Sequence, residues 1–240
     1  MSPDTQSSIL ALIPARGGSK RIPRKNVVDF HGKPIIAYPI EAASRSGLFG
    51  TIHVSTDDAE IRDVAQRYGA DVSFERPSDL SDDMTGVLPV ARWVLHAFAE
   101  RGRIFQHVVI LFPCAPLIDE LDLRAAWNTY QAHRGSKNLL TVGRNPVPAE
   151  WLYRLESNRC LSPLTPGAAF IRSQDLPVAY YETGGFTIFS AQHLLRSERI
   201  ADDCNYIGHE LASWKTVDID TPEDLDLARA LYAYYGAKNR

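Results

Sequence analysis

Cysteine is scarce and badly placed for a framework: Cys114, Cys160 and Cys204 are the only three in 240 residues. An odd count, no Cys-x-x-Cys and no histidine at zinc-ligand spacing exclude a disulfide scaffold and a zinc module, and point to free thiols in a reducing cytoplasm. Long hydrophobic runs are missing too. No stretch approaches the ~18 apolar residues of a membrane span, and the polar start of the chain lacks the apolar centre of a signal peptide, so a soluble cytoplasmic protein is expected. Positive charge is not in excess: 26 Lys and Arg against 29 Asp and Glu leave −3, which argues against a general nucleic-acid binder.

The common nucleotide and catalytic signatures are also absent. Lys20 is followed by Arg21, so no Gly-x-x-x-x-Gly-Lys-Ser/Thr is formed, and neither Gly-x-Gly-x-x-Gly nor Gly-x-Ser-x-Gly occurs. The 7 histidines have no His-x-x-x-His spacing and no carboxylate partner that would mark a metal site or a base.

What is present starts at residues 13–26, Ile-Pro-Ala-Arg-Gly-Gly-Ser-Lys-Arg-Ile-Pro-Arg-Lys-Asn. An apolar run over 9–13 feeds into it, and Arg16, Lys20, Arg21, Arg24 and Lys25 crowd one short stretch. The glycine pair and two prolines exclude a regular helix or strand. A glycine turn brings backbone N–H groups close to an anion, and Arg and Lys neutralise several phosphate oxygens at once. A polyphosphate cradle at the end of a buried strand is the expectation; an exposed, solvated charge run is the alternative.

Along the chain, 9–14 read as a central strand, 34–46 as a helix opened by Pro34, 51–55 as a strand and 58–68 as a helix capped at Thr56-Asp57-Asp58. A short strand is expected at 72–74. Residues 75–86 form a long polar loop, followed by a helix over 88–101, a strand over 107–112, a helix from Asp119 or Asp122 to 133 and a strand over 138–142. This alternation predicts an α/β fold with a parallel, doubly wound sheet. Residues 144–182 break the rhythm with clustered prolines and carry Trp151, Tyr153, Leu155, Phe170 and Tyr180. They read as an inserted arm that docks on a partner subunit or packs on its own domain, between α/β portions at 1–143 and 183–240. Strands at 186–189 and 216–219, and a last helix over 222–235, complete the pattern.

Asp218 and Asp220, read as part of a strand, share one face; two carboxylates at a strand end facing a polyphosphate loop are what Mg²⁺ requires. A helix cap is the alternative for Asp220. Arg172 and Gln174, in the arm, form a fork suited to a carboxylated, polyhydroxylated ligand, with a surface ion pair as the alternative.

Taken together, residues 13–26, Gly32-Lys33-Pro34-Ile35, Ser55-Thr56-Asp57, Arg76-Pro77, 113–116, 172–177 and 218–223 resemble the acylneuraminate cytidylyltransferase family. Residues 80–86 and 172–177, with Phe112 where sialic acid enzymes carry Gln, are similar to the pseudaminic acid type. The resemblance implies a Rossmann-like, mostly parallel sheet flanked by helices, of nucleotide-diphospho-sugar transferase type, with an inserted dimerisation arm. It implies transfer of CMP from CTP to the anomeric hydroxyl of an acidic nine-carbon keto sugar, releasing pyrophosphate and activating the sugar for surface-glycan or flagellin glycosylation. CTP would be bound by Ala15, Arg16, Gly17, Ser19, Lys25, Asn26, Arg76 and Thr85. Arg16, Lys25 and Asp218 would be catalytic, Asp218 and Asp220 would hold Mg²⁺, and Phe112, Arg172, Gln174 and Phe186 would meet the sugar, the arm reaching across a homodimer.

Two departures bear on the sugar. Cys114 replaces Thr, and Gly185 and Thr187 replace Gln and Tyr, which is expected to open space beside the sugar pocket. The rivals are a cytidylyltransferase for sialic, legionaminic or octulosonic acid, or a non-catalytic nucleotide-binding regulator.

Overall fold

Aliphatic residues fill Ile9–Pro14, and this stretch forms β1, paired in parallel with β4 (Thr51–Ser55) on one side and β5 (His107–Leu111) on the other. A strand covered on both faces can be apolar at every position. In β1 and β5 successive residues therefore serve two different cores. Ile9, Ala11, Ile13, Val109 and Leu111 face one, and Leu10, Leu12, Val108 and Ile110 the other. The computed structural model describes residues 8–133, 136–196 and 205–236. Cys204 and the polar residues 1–7 lie outside them.

Six strands form the main sheet in the order β10-β6-β9-β5-β1-β4, with β6 at Asn138–Arg144, β9 at Tyr180–Ser190 and β10 at Tyr206–Glu210. Two small pairs stand apart, β2 (Asp29–Phe30) with β3 (Lys33–Pro34) and β7 (Tyr153–Leu155) with β8 (Leu161–Pro163). The first core is closed by α1 (Ala37–Ser46), α2 (Ala59–Arg67) and α4 (Glu120–Ala132). The second is closed by α3 (Val87–Ala99) and α5 (Ala191–Arg196). A third cluster, around Ile22, Phe30, Cys114, Ile219 and Leu225, packs α6 (Pro222–Gly236) against the ends of the strands. Among the described residues no helix is long and apolar enough to cross a membrane.

The helix starts follow the expected chemistry. Asp58 caps α2, accepting from the N–H of Ile61, Asp119 and Asp122 form a capping box on α4, and Thr221 and Asp224 bond reciprocally at the start of α6.

Four expectations are corrected. Lys33 and Pro34 belong to β3, and the first helix begins at Ala37. Residues 72–74 form no strand; only Asp71 bridges to His53. The sheet is not wholly parallel, because β9 runs against both β5 and β6. Residues 216–219 are not a strand either. The edge beside β6 is taken by β10, and the Asp218 segment instead crosses the sheet end after a single 3₁₀ turn at Ser213–Lys215.

The stretch between β6 and β9 holds three 3₁₀ turns and the β7–β8 pair. It is rich in uncovered apolar side chains: Phe170 is 94% exposed and Leu155 66%.

Candidate active site

The carboxyl ends of β1 and β5 open onto a cleft of about 450 Å³, where open α/β sheets place their ligands. The loop after β1 forms one wall. Its path is set by backbone anchors: Ala15, fully buried, donates its N–H to Ser55 O at 2.9 Å, and Gly17 N–H donates to Asp57 Oδ1 at 3.1 Å. A Cβ at Gly17 would stand 2.8 Å from Asp58 Oδ2, so the close approach requires glycine. Farther on, Arg24 takes the left-handed region at φ 54° before the turn at Lys25–Val27. Asn26 is buried and braces the loop, its amide donating to Arg16 O at 2.8 Å while the Cys114 thiol donates to its oxygen at 3.3 Å.

The opposite wall is the segment bearing Asp218 and Asp220. Ile219 is buried beneath it, and Lys25 Nζ ties the walls together by donating to Ile219 O at 2.5 Å and to Asp220 Oδ1 at 3.2 Å. Arg21 reaches Asp220 Oδ2 at 3.1 Å. Asp218 opens to the cleft, yet its carboxyl lies above the usual carboxylate range. The surrounding wall strips away part of its water, and the Asp220 charge opposes its ionisation. A cation between the two would relieve both costs. Among the described residues no third acidic or imidazole ligand joins them. The pair therefore fits Mg²⁺ if phosphate oxygens and water complete its shell, as this ion prefers.

Phe112 and Cys114 form part of the floor, and burial pushes the Cys114 thiol up to about 12. Gly184, at φ +61°, presses its backbone on Asp218: a Cβ there would lie 2.9 Å from Asp218 Oδ1.

Arg16, Ser19, Lys25, Asn26, Phe112, Asp218 and Asp220 thus share one cleft. Ala15 and Gly17 shape the loop that walls it, and the remaining expected residues stand elsewhere. Arg76 is buried under the end of β4, donating to Ser55 O at 2.5 Å and Ser55 Oγ at 3.2 Å, with its guanidinium lowered to about 10 by burial. Thr85 donates its N–H to Asp82 Oδ1 in the acidic loop. Phe186 is 1% exposed, its ring turned into the first core, so it offers the cleft no side chain. Position 185 also faces inward, since a Cβ at Gly185 would meet Thr141, Ile118 and Leu211. Glycine there opens no space in the cleft, contrary to expectation. Arg172 pairs with Asp175 at 2.9 Å, and Gln174 lines a separate groove beside Arg144.

Sequence reasoning missed Asp83. It accepts from Arg16 at 2.7 Å and pairs with Lys20, whose ammonium, with the Arg16 charge behind it, holds the Asp83 carboxyl below its usual range. The signal was the Asp82-Asp83 pair in the polar loop already expected to carry Thr85.

A basic wall facing two carboxylates can neutralise a triphosphate and hold its metal. The family described as cytidylyltransferase matches residues 10–238. This chain belongs to the cytidylyltransferase family. The relatives agree. A pseudaminic acid cytidylyltransferase of Campylobacter jejuni is 37% identical over 223 residues, 93% of this chain and 95% of its own length. A CMP-N,N'-diacetyllegionaminic acid synthase of Legionella pneumophila is 30% identical over 93% of this chain and 95% of its own length. Among solved structures, a CMP:2-keto-3-deoxy-manno-octonic acid synthetase complexed with CTP matches with a TM-score of 0.71 at 18% identity, covering 95% of this chain and 99% of that one. At that identity the likeness carries the fold alone. The enzyme class follows from the family: a CTP-dependent nucleotidyltransferase.

Proposed function

We propose that the protein transfers CMP from CTP to the anomeric hydroxyl of an acidic nine-carbon keto sugar, with pseudaminic acid as the substrate. The observation that carries this reading is the single cleft in which Arg16, Lys25, Asp218 and Asp220 face one another, taken with the 37% identical pseudaminic acid relative. In the reaction the anomeric oxygen bonds to the α-phosphorus, the bond to the β-phosphate oxygen breaks, pyrophosphate leaves and the hydroxyl proton passes to water.

Asp218 and Asp220 would hold Mg²⁺, which would supply charge neutralisation at the triphosphate. The chain does the rest by positioning and electrostatics, which dominate this class of transfer. Arg16 and Lys25 take the negative charge that grows on the leaving pyrophosphate. Ala15, Gly17 and Ser19 shape the turn around the phosphates, and Asn26 holds Arg16 in place through its carbonyl. Thr85 belongs to the loop that meets the nucleotide base and ribose, while Arg76 supports the end of β4 from below.

Phe112 borders the sugar. Arg172 and Gln174, remote from their own cleft, serve the cleft of a second copy, joined through residues 144–182 as a homodimer. The exposed Phe170, Leu155 and Leu161 supply the apolar area that such an interface requires. Phe186 contributes only backbone.

The test is pyrophosphate release with CTP, Mg²⁺ and a panel of pseudaminic, legionaminic, sialic and octulosonic acids. Release with pseudaminic acid at the highest kcat/KM is expected. Preference for another sugar overturns the substrate, and no release with any sugar overturns the transfer itself.

A further inference from the structure

Asp218 has no ladder to hold it, since its segment pairs with no strand. Its carboxylate instead lies close against Gly184, where a Cβ would come within 2.9 Å of Oδ1. Gly184 sits where β9 breaks register with β6. Leu140 faces Thr187 and Val142 faces Glu182, so Thr141 alone lies opposite residues 183–186. Such an insertion leaves backbone groups without ladder partners and re-aims the chain, often beside a functional site.

The Thr141 hydroxyl takes over those groups. It donates to Phe186 O at 2.8 Å, accepts from Phe186 N–H at 3.1 Å and lies 3.1 Å from the Thr183 hydroxyl. Thr183 also lies within donating distance of Thr141 O, at 3.2 Å. Its proton and one acceptor site are committed to Phe186, and the single Thr183 proton goes either to the remaining acceptor site or to Thr141 O. Thr141 is 1% exposed and Thr183 2%, so no bulk water replaces a lost bond. Across β9, Phe112 N–H donates to Gly185 O at 3.1 Å, which pins the other edge of the bulge to the cleft floor.

We propose that Thr141 is a positioning residue for catalysis: its hydroxyl fixes the bulge of β9, and through it the Gly184 backbone that seats Asp218. The proposal rests on the reading of Asp218 as a metal-binding carboxylate. Partners behind a metal ligand typically change metal affinity or activity about 10–100-fold when removed.

The experiment compares Thr141→Val, which keeps the shape and removes the hydroxyl, with Thr141→Ser, which keeps the hydroxyl. In Thr141→Val, kcat is expected to fall about 10-fold, the Mg²⁺ concentration for half-maximal rate to rise, and KM for CTP to stay unchanged. The rise in melting temperature that Mg²⁺ with CTP confers on wild type is expected to shrink in parallel. Thr141→Ser is expected to restore both. Thr183→Val, which removes the second hydroxyl, is expected to show the same pattern more weakly and serves as the readout if Thr141→Val does not fold. A folded variant with a lowered melting temperature but unchanged kcat and Mg²⁺ dependence overturns the proposal. Asp218→Asn is assayed alongside. If it retains near-normal turnover, the metal assignment fails instead, irrespective of Thr141.

Discussion

At the scale of single residues, the cleft depends on close approaches that only particular side chains allow. Gly184 combines a left-handed backbone with contact to Asp218. Gly184→Ala is expected to lose about 1–3 kcal/mol of stability from backbone conformation and most of its turnover, because the new methyl displaces the carboxylate. Thermal melting and steady-state rates check the two effects separately. Cys114 gives a pH prediction. Burial lifts its thiol from 9.0 to about 12, so the neutral form is favoured in the folded state. The stability tied to that form is intact below about pH 9 and is lost as pH rises through about 12. Alkylation of Cys114 at pH 8 in a Cys160→Ser, Cys204→Ser background is expected to be far slower than alkylation of the exposed Cys160 in a Cys114→Ser, Cys204→Ser background; equal rates would contradict the burial. The sequence made Asp218 and Asp220 legible as a pair, but by strand alternation that the fold does not use. Their common orientation comes from Ile219 packing, from Lys25 and from Gly184, contacts between residues far apart in the chain that no local pattern displays.

At the scale of elements, the helices were legible because their caps are local: Asp58, Asp119 and Thr221 each bond within a few residues. The last strand was not. Residues 216–219 alternate better than 206–210, which contain Gly208 and His209, yet only 206–210 find a neighbour, β6, with a free edge. The turn leading into the Asp218 segment is anchored by Lys215, 8% exposed at its side chain and bonded to Asp119 at 2.5 Å and Asp122 at 2.6 Å. Lys215→Met strands two partly buried carboxylates and is expected to cost about 3 kcal/mol, the lower end for a broken buried pair, because Asp119 remains partly open to water. Denaturant melting measures this. Adding Asp122→Asn is expected to recover part of the loss, and no recovery would argue against a shared charge clamp.

At the scale of the whole molecule, the sheet, its two covered faces and the cleft at the strand ends were legible from alternating apolar runs and turns. The antiparallel β9 was not, because direction depends on how the chain returns from residues 144–182. That stretch carries sugar-contact candidates its own cleft does not receive. Phe170→Asp is expected to convert a dimer into a monomer by light scattering, leaving CTP binding intact and abolishing sugar turnover. A wild-type protein already monomeric at assay concentration would contradict the shared site. The central claim is that the basic loop and the two carboxylates form one nucleotidyl-transfer centre. It is tested most directly by mass spectrometry of the product from CTP, Mg²⁺ and pseudaminic acid, comparing wild type with the Asp218→Asn, Asp220→Asn double variant. Wild type is expected to yield the CMP-sugar, and the folded double variant none above background; CMP-sugar formed by the double variant at a near-wild-type rate would contradict the account.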